Sequence, residues 1–134
     1  MRRRWMPLLA MVLVVGGCGD DGGPSERDAE AFCARLDRLT NNDPFRAFGD
    51  RATSAEIEQA FMALVERASE IVDVAPPDAR GAANDYADAA RGLDDLMAGA
   101  AYDGNAIDAR AYRDQQVAYA NAAARLERYL ESEC

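Results

Sequence analysis

The stretch TSAEIEQAFMALVERASEIVDVAPP, residues 53–77, decides how this chain folds. Ile57, Phe61, Leu64, Val65, Ala68, Ile71 and Val72 recur at intervals of three and four, which puts them on one side of a helix. Thr53 followed three residues later by Glu56 has the spacing of a capping box, in which each side chain accepts from the other residue's backbone N–H. Pro76–Pro77 ends the run, since proline has no N–H to continue the ladder and its ring pushes the preceding residue out of helical conformation. The stretch predicts a helix over 54–74 whose apolar stripe needs cover from other elements.

The same periodicity extends in both directions. Towards the amino terminus, Ser25 with Asp28 resembles a cap, and Ala29, Phe32, Cys33, Leu36 and Leu39 predict a first helix over about 25–39. Asn41–Asn42–Asp43–Pro44 breaks it, and Phe45–Arg46–Ala47–Phe48–Gly49 is expected to add a short helical turn. Beyond the prolines, Asp78 opens a third helix with Ala79, Ala82, Tyr86, Ala89, Leu93, Leu96, Met97 and Ala100 on its apolar face, weakened by Gly81 and Gly92. Tyr102–Asp103–Gly104–Asn105 reads as a turn, and a fourth helix carrying Tyr112, Tyr119, Ala122, Leu126, Tyr129 and Leu130 runs to about Ser132. Alternating β-branched residues are missing outside the first residues of the chain. The expected fold of residues 25–134 is therefore all-α, a four-helix up-down bundle. Alanine on several faces predicts close helix contacts and a thin core, with no room for a large buried cofactor.

Residues 1–17 do not fit that bundle. Met1–Arg2–Arg3–Arg4 is a positively charged opening, and Trp5–Val15 is an apolar run too short to span a bilayer, the pattern of a signal peptide. The run closes on Val15–Gly16–Gly17–Cys18, which resembles the lipobox of bacterial lipoproteins. That resemblance implies cleavage before Cys18, a diacylglyceryl thioether on its sulfur, and membrane anchoring through acyl chains such as palmitate. It places the mature chain in the cell envelope, on the extracytoplasmic side of a membrane. Gly19 follows the cysteine and Asp20 comes next, which leaves the choice between inner and outer membrane open. Gly19–Pro24 contains nothing apolar to bury and is expected to be a flexible acidic tether within the segment 18–24. The mature part loosely resembles small lipoproteins of GC-rich bacteria, a likeness that implies no activity.

With Cys18 given to lipid, two of the three cysteines remain, and an oxidising compartment favours a bond between Cys33 and Cys134. An intermolecular bond or free thiols are the alternatives. An up-down bundle brings the start of helix one and the end of helix four to the same pole. Cys33 nevertheless lies about two turns inside its helix while Cys134 ends the fourth, so either helix one projects or helix four stops early.

Composition narrows the chemistry. The sequence has 15 basic and 24 acidic residues, and loss of Arg2, Arg3 and Arg4 with the leader leaves 12 against 24, a net charge of −12. Such a charge repels phosphate backbones and anionic headgroups, so nucleic acid is not an expected partner. There is no His, and every basic residue is Arg. Ser–His and Cys–His nucleophiles, Schiff-base lysines and His metal ligands are thereby excluded, and an enzyme is not expected. Asp78, Asp85, Asp88, Asp94 and Asp95 gather on helix three, but Arg91 is spaced to pair with Asp88, Asp94 and Asp95, and Asp20–Asp21–Gly22 lacks the ligands of a calcium loop. No metal site is expected.

The bundle topology offers one candidate site. If Cys33 and Cys134 share the anchored pole, the 40–53 connection and the 100–105 turn share the far one. Phe45, Arg46, Phe48, Asp50, Arg51, Tyr102 and Asp103 then form a face of aromatic and charged groups suited to protein contact. The alternative is that Phe45 and Phe48 plug the end of the core. The functional expectation is a membrane-anchored, non-enzymatic binding module that contacts another envelope protein or a small ligand. Its rival is a structural, envelope-maintenance lipoprotein without a specific pocket.

Overall fold

The computed structural model describes residues 26–41 and 51–134. The leader, Cys18, the tether, the Ser25 cap and the Phe45–Gly49 turn lie outside the described residues. Among the described residues there are four helices and no strand: α1 (Glu26–Asn41), α2 (Ser54–Val74), α3 (Arg80–Gly99) and α4 (Ala109–Glu133). Each packs on its neighbours in sequence and α1 closes on α4, while the diagonal pairs have no close backbone approach. This is the ring of an up-down bundle.

Local chemistry sets the ends of the helices. At the start of α2 the Glu56 carboxylate accepts from the Thr53 backbone N–H at 2.7 Å, and the Thr53 hydroxyl accepts from the Glu56 N–H at 3.3 Å. After Val74 the chain passes through Pro76–Pro77, and the Ala79 N–H bonds the Pro76 carbonyl at 3.0 Å. That turn delays α3 to Arg80, two residues later than Asp78 suggested. Asp108 opens α4 by accepting from the N–H groups of Arg110 at 2.9 Å and Ala111 at 3.0 Å. Those bonds, the one from Ala111 foremost, hold its carboxyl below the usual carboxylate range.

The core is a seam of small and large residues. Phe61, Leu64, Ala68 and Ile71 of α2 face Ala83, Tyr86, Ala87, Ala90, Leu93 and Met97 of α3, all buried in one cluster. Alanine on α3 brings its neighbours close, so α3 contributes seven buried side chains. Among the described side chains, α1 brings only Phe32 and Leu36 to that state, and α4 only Ala122 and Leu126. Gly92, which the sequence suggests as a weak point of α3, marks a close approach: the Gln115 side chain of α4 occupies the space a Cβ would need and donates to the Ala89 carbonyl at 3.2 Å.

At one pole, Cys33 and Cys134 form a disulfide with Cα atoms 5.8 Å apart. Beside it the buried Phe32 ring stands edge-on to Tyr129 at 5.3 Å, and the Tyr129 hydroxyl donates to Asp78 at 3.4 Å. The two ends left in question by the sequence are reconciled by an overrun of α1. Helix α4 continues to Glu133, while α1 starts at Glu26, so α1 extends beyond the end of α4 by roughly 10 Å at 1.5 Å per residue.

At the other pole α3 ends in a Schellman motif, with the Tyr102 N–H bonded to the Met97 carbonyl at 2.7 Å and the Ala101 N–H to the Ala98 carbonyl at 3.0 Å. Ala101 (φ 51°) and Tyr102 (φ 56°) are both left-handed, at a cost of about 1–2 kcal/mol each for a residue with a Cβ. Ala101 occupies the position where glycine is usual. Ala101→Gly should therefore raise stability by about 1 kcal/mol, and the melting temperature by roughly 4–8 °C in thermal unfolding followed by circular dichroism. A lowered melting temperature would show that the turn is not left-handed in solution.

Candidate functional site

Among the described residues, the helices differ in how far they reach along the bundle. Leu39 and Thr40, in the last turn of α1, line a small cavity of about 210 Å³ together with Tyr86, Tyr119 and Leu126. The last turn of α1 thus reaches a cavity that Tyr119 also lines, although α4 begins at Ala109. Ten residues of α4, roughly 15 Å, lie between Tyr119 and the start of the helix at the distal pole. In that half, no described helix lies across from the gap between α2 and α4.

The gap is an apolar groove of about 570 Å³. Ile57 and Phe61 of α2 form one wall, Met97 of α3 the floor, and Ile107 and Tyr112 the other wall, with Arg113 at the edge. Arg113 holds its Nε–H on its own helix, on the Ala109 carbonyl at 3.2 Å. A concave apolar surface with a charged rim is the form taken by sites that receive an apolar side chain or a small apolar ligand.

The face proposed from sequence falls partly within this region. Phe45, Arg46, Phe48 and Asp50 lie outside the described residues, and Arg51 is exposed just before α2. Tyr102 and Asp103 are at the distal pole, where the sequence placed them, but both have local partners. The Tyr102 hydroxyl donates to Asp94 at 2.8 Å and its ring lies 6.3 Å from that of Phe61. Asp103 accepts from the Asn105 backbone N–H at 2.9 Å, an Asx turn. Ile57, Ile107, Tyr112 and Arg113 were not among the sequence candidates. The signal for them was the unequal length of the first and fourth helical patterns.

The small cavity has a polar feature of its own. The hydroxyls of Tyr86 and Tyr119 are 2.7 Å apart across α3 and α4, with their rings stacked at a tilt 5.1 Å apart. Leu36, Leu64 and Leu130 form its apolar walls and Glu127 stands among them. Tyr112 and Tyr119 are both partly buried against the core, as their spacing of seven implied.

The carboxylates of α3 are divided among separate partners. Asp88 pairs with Arg91 at 2.9 Å and Asp85 with Arg125 of α4. Of the three acids spaced for Arg91, Asp88 is the one it bridges, while Asp94 accepts from the Tyr102 hydroxyl. Among the described residues no three of His, Cys, Asp or Glu stand close enough to hold a metal ion. No described helix is long and apolar enough to cross a membrane.

Tyr102 gives the distal pole a pH dependence. Burial first, then the hydrogen bond and charge of Asp94 and the charges of Glu58 and Asp95, push its hydroxyl from the ordinary value of 10.0 up to about 12. A raised folded value means the contribution is fully present below pH 10 and is lost as pH rises through about 12. Tyr102→Phe should cost about 1 kcal/mol at neutral pH and flatten the fall in stability between pH 10 and 12, read from urea unfolding. An equal fall in both proteins would remove Tyr102 as its source.

Comparison of the chain with protein-family models, with curated proteins and with solved structures found no match.

Proposed function

We propose that this chain is an exported lipoprotein, cleaved before Cys18 and acylated there, that displays its helical bundle at the cell envelope as a non-enzymatic binding module. The observation that carries the reading is the Cys33–Cys134 disulfide. Such a bond persists in oxidising compartments, and it uses both cysteines other than the one in the Val15–Gly16–Gly17–Cys18 motif. One sulfur is left for lipid.

The contact surface in this reading is the distal groove of Ile57, Phe61, Met97, Ile107 and Tyr112. Its pole is opposite the disulfide, and the chain enters α1 from the anchored side, so the groove faces away from the membrane. An apolar group from another envelope protein fits it better than a nucleic acid, given the acidic surface. A structural lipoprotein has no use for such a groove.

Intact mass spectrometry of the membrane fraction should find an amino terminus at Cys18 carrying the added mass of diacylglyceryl, and Cys18→Ser should release the protein from the membrane. An unmodified sulfur at Cys18, or a different amino terminus, contradicts the anchor. Binding is read separately: a photoreactive group at Ile107 should give a discrete adduct in intact cells that Tyr112→Asp abolishes while helicity is kept. A purely structural protein gives none.

A further inference from the structure

We infer that acylation of Cys18 also acts as thiol protection, and that lipid transfer must precede disulfide closure for Cys33 to find Cys134. The inference rests on the lipoprotein reading and adds to it an order of reactions.

Three thiols allow three intramolecular pairings, and the native one joins cysteines 101 residues apart. Cys18 is 15 residues from Cys33 in the sequence. In an unfolded chain the probability of contact falls as about the three-halves power of separation, so Cys33 meets Cys18 roughly 17 times as often as it meets Cys134. Export in the order of synthesis adds to the bias. At about 5–20 residues per second, the intervening chain takes roughly 5–20 s longer to be made.

Native packing cannot protect Cys33 during that interval. The contacts that seat this part of α1 come from later residues: Phe32 stands against Tyr129, Leu36 shares its cavity with Leu126 and Leu130, and Arg35 pairs with Glu70 at 2.7 Å. A helix of 16 residues without them is marginal in water. Cys33 therefore meets the oxidant before its proper partner is in place.

The chemistry does not discriminate between the pairings. In each, two S–H groups give up two protons and two electrons to a disulfide-bearing oxidant, which leaves as two thiols while one S–S bond forms. A Cys18–Cys33 bond would leave Cys134 as a free thiol and α1 unattached to α4. Lipid transfer replaces the S–H bond of Cys18 by an S–C bond. The sulfur attacks the glyceryl carbon of a membrane phospholipid, that carbon's bond to the phosphate oxygen breaks, and the phosphorylated headgroup leaves while the thiol proton passes to solvent. The resulting thioether has no proton to lose and forms no disulfide, so the short loop is closed to oxidation.

The test uses the full chain in its own cells in three forms: unaltered, with an ordinary secretory leader in place of residues 1–17, and with that leader plus Cys18→Ser. Newly exported chains are acid-quenched and alkylated, and their disulfides are mapped by mass spectrometry. The unaltered chain should carry lipid on Cys18 and the Cys33–Cys134 bond. With the secretory leader, Cys18–Cys33 should exceed Cys33–Cys134 roughly tenfold or more, with Cys134 alkylated. Cys18→Ser should restore the native bond. Predominance of Cys33–Cys134 with an alkylated Cys18 in the second form overturns the inference and leaves the lipoprotein reading intact. An alkylated Cys18 in the unaltered chain refutes both.

Discussion

The bond between Cys33 and Cys134 ties α1 to the other three helices. Helices α2 and α3 have an extensive alanine-lined seam, but α1 places only Phe32 and Leu36 fully inside the core. So few buried side chains do little against the conformational entropy of ordering a helix. A cross-link spanning 101 residues removes that freedom from the unfolded chain instead, worth about 4–5 kcal/mol in the chain-entropy model.

Unequal helix lengths explain the rest of the shape. Held at Cys33 against the end of α4, α1 overruns the bundle at the disulfide pole and runs to Asn41, short of the other pole. Four helices therefore pack around the core near Phe32 and Leu64, while among the described residues only α2, α3, α4 and the turn before α4 line the distal groove, with Ile57 and Tyr112 in its walls.

Much of this was legible from residue spacing. The capping box at Thr53 and Glu56 with the Pro76–Pro77 stop fixed α2 at Ser54–Val74, as expected. The heptad spacing of Tyr112 and Tyr119 indicated inward-facing side chains, and both lie against the core. Periodicity reports which face a residue occupies but not its height against a neighbouring helix. For that reason the overrun of α1 stayed undecided, and the meeting of the Tyr86 and Tyr119 hydroxyls was invisible. Tyr102 was read as surface because it falls in a polar turn; two successive left-handed residues send it back over α3 to Asp94. Gly92 was read as a defect in α3, since the crossing Gln115 that uses the space belongs to another helix.

Hydrogen exchange of the backbone amides, before and after reduction of the disulfide under native conditions, tests most directly whether one covalent bond holds α1 in place. Protection across Glu26–Asn41 should fall to that of a frayed helix on reduction, while the seam of α2 and α3 remains protected. Unchanged protection in α1 would mean that packing alone secures it and would contradict the central role of the disulfide.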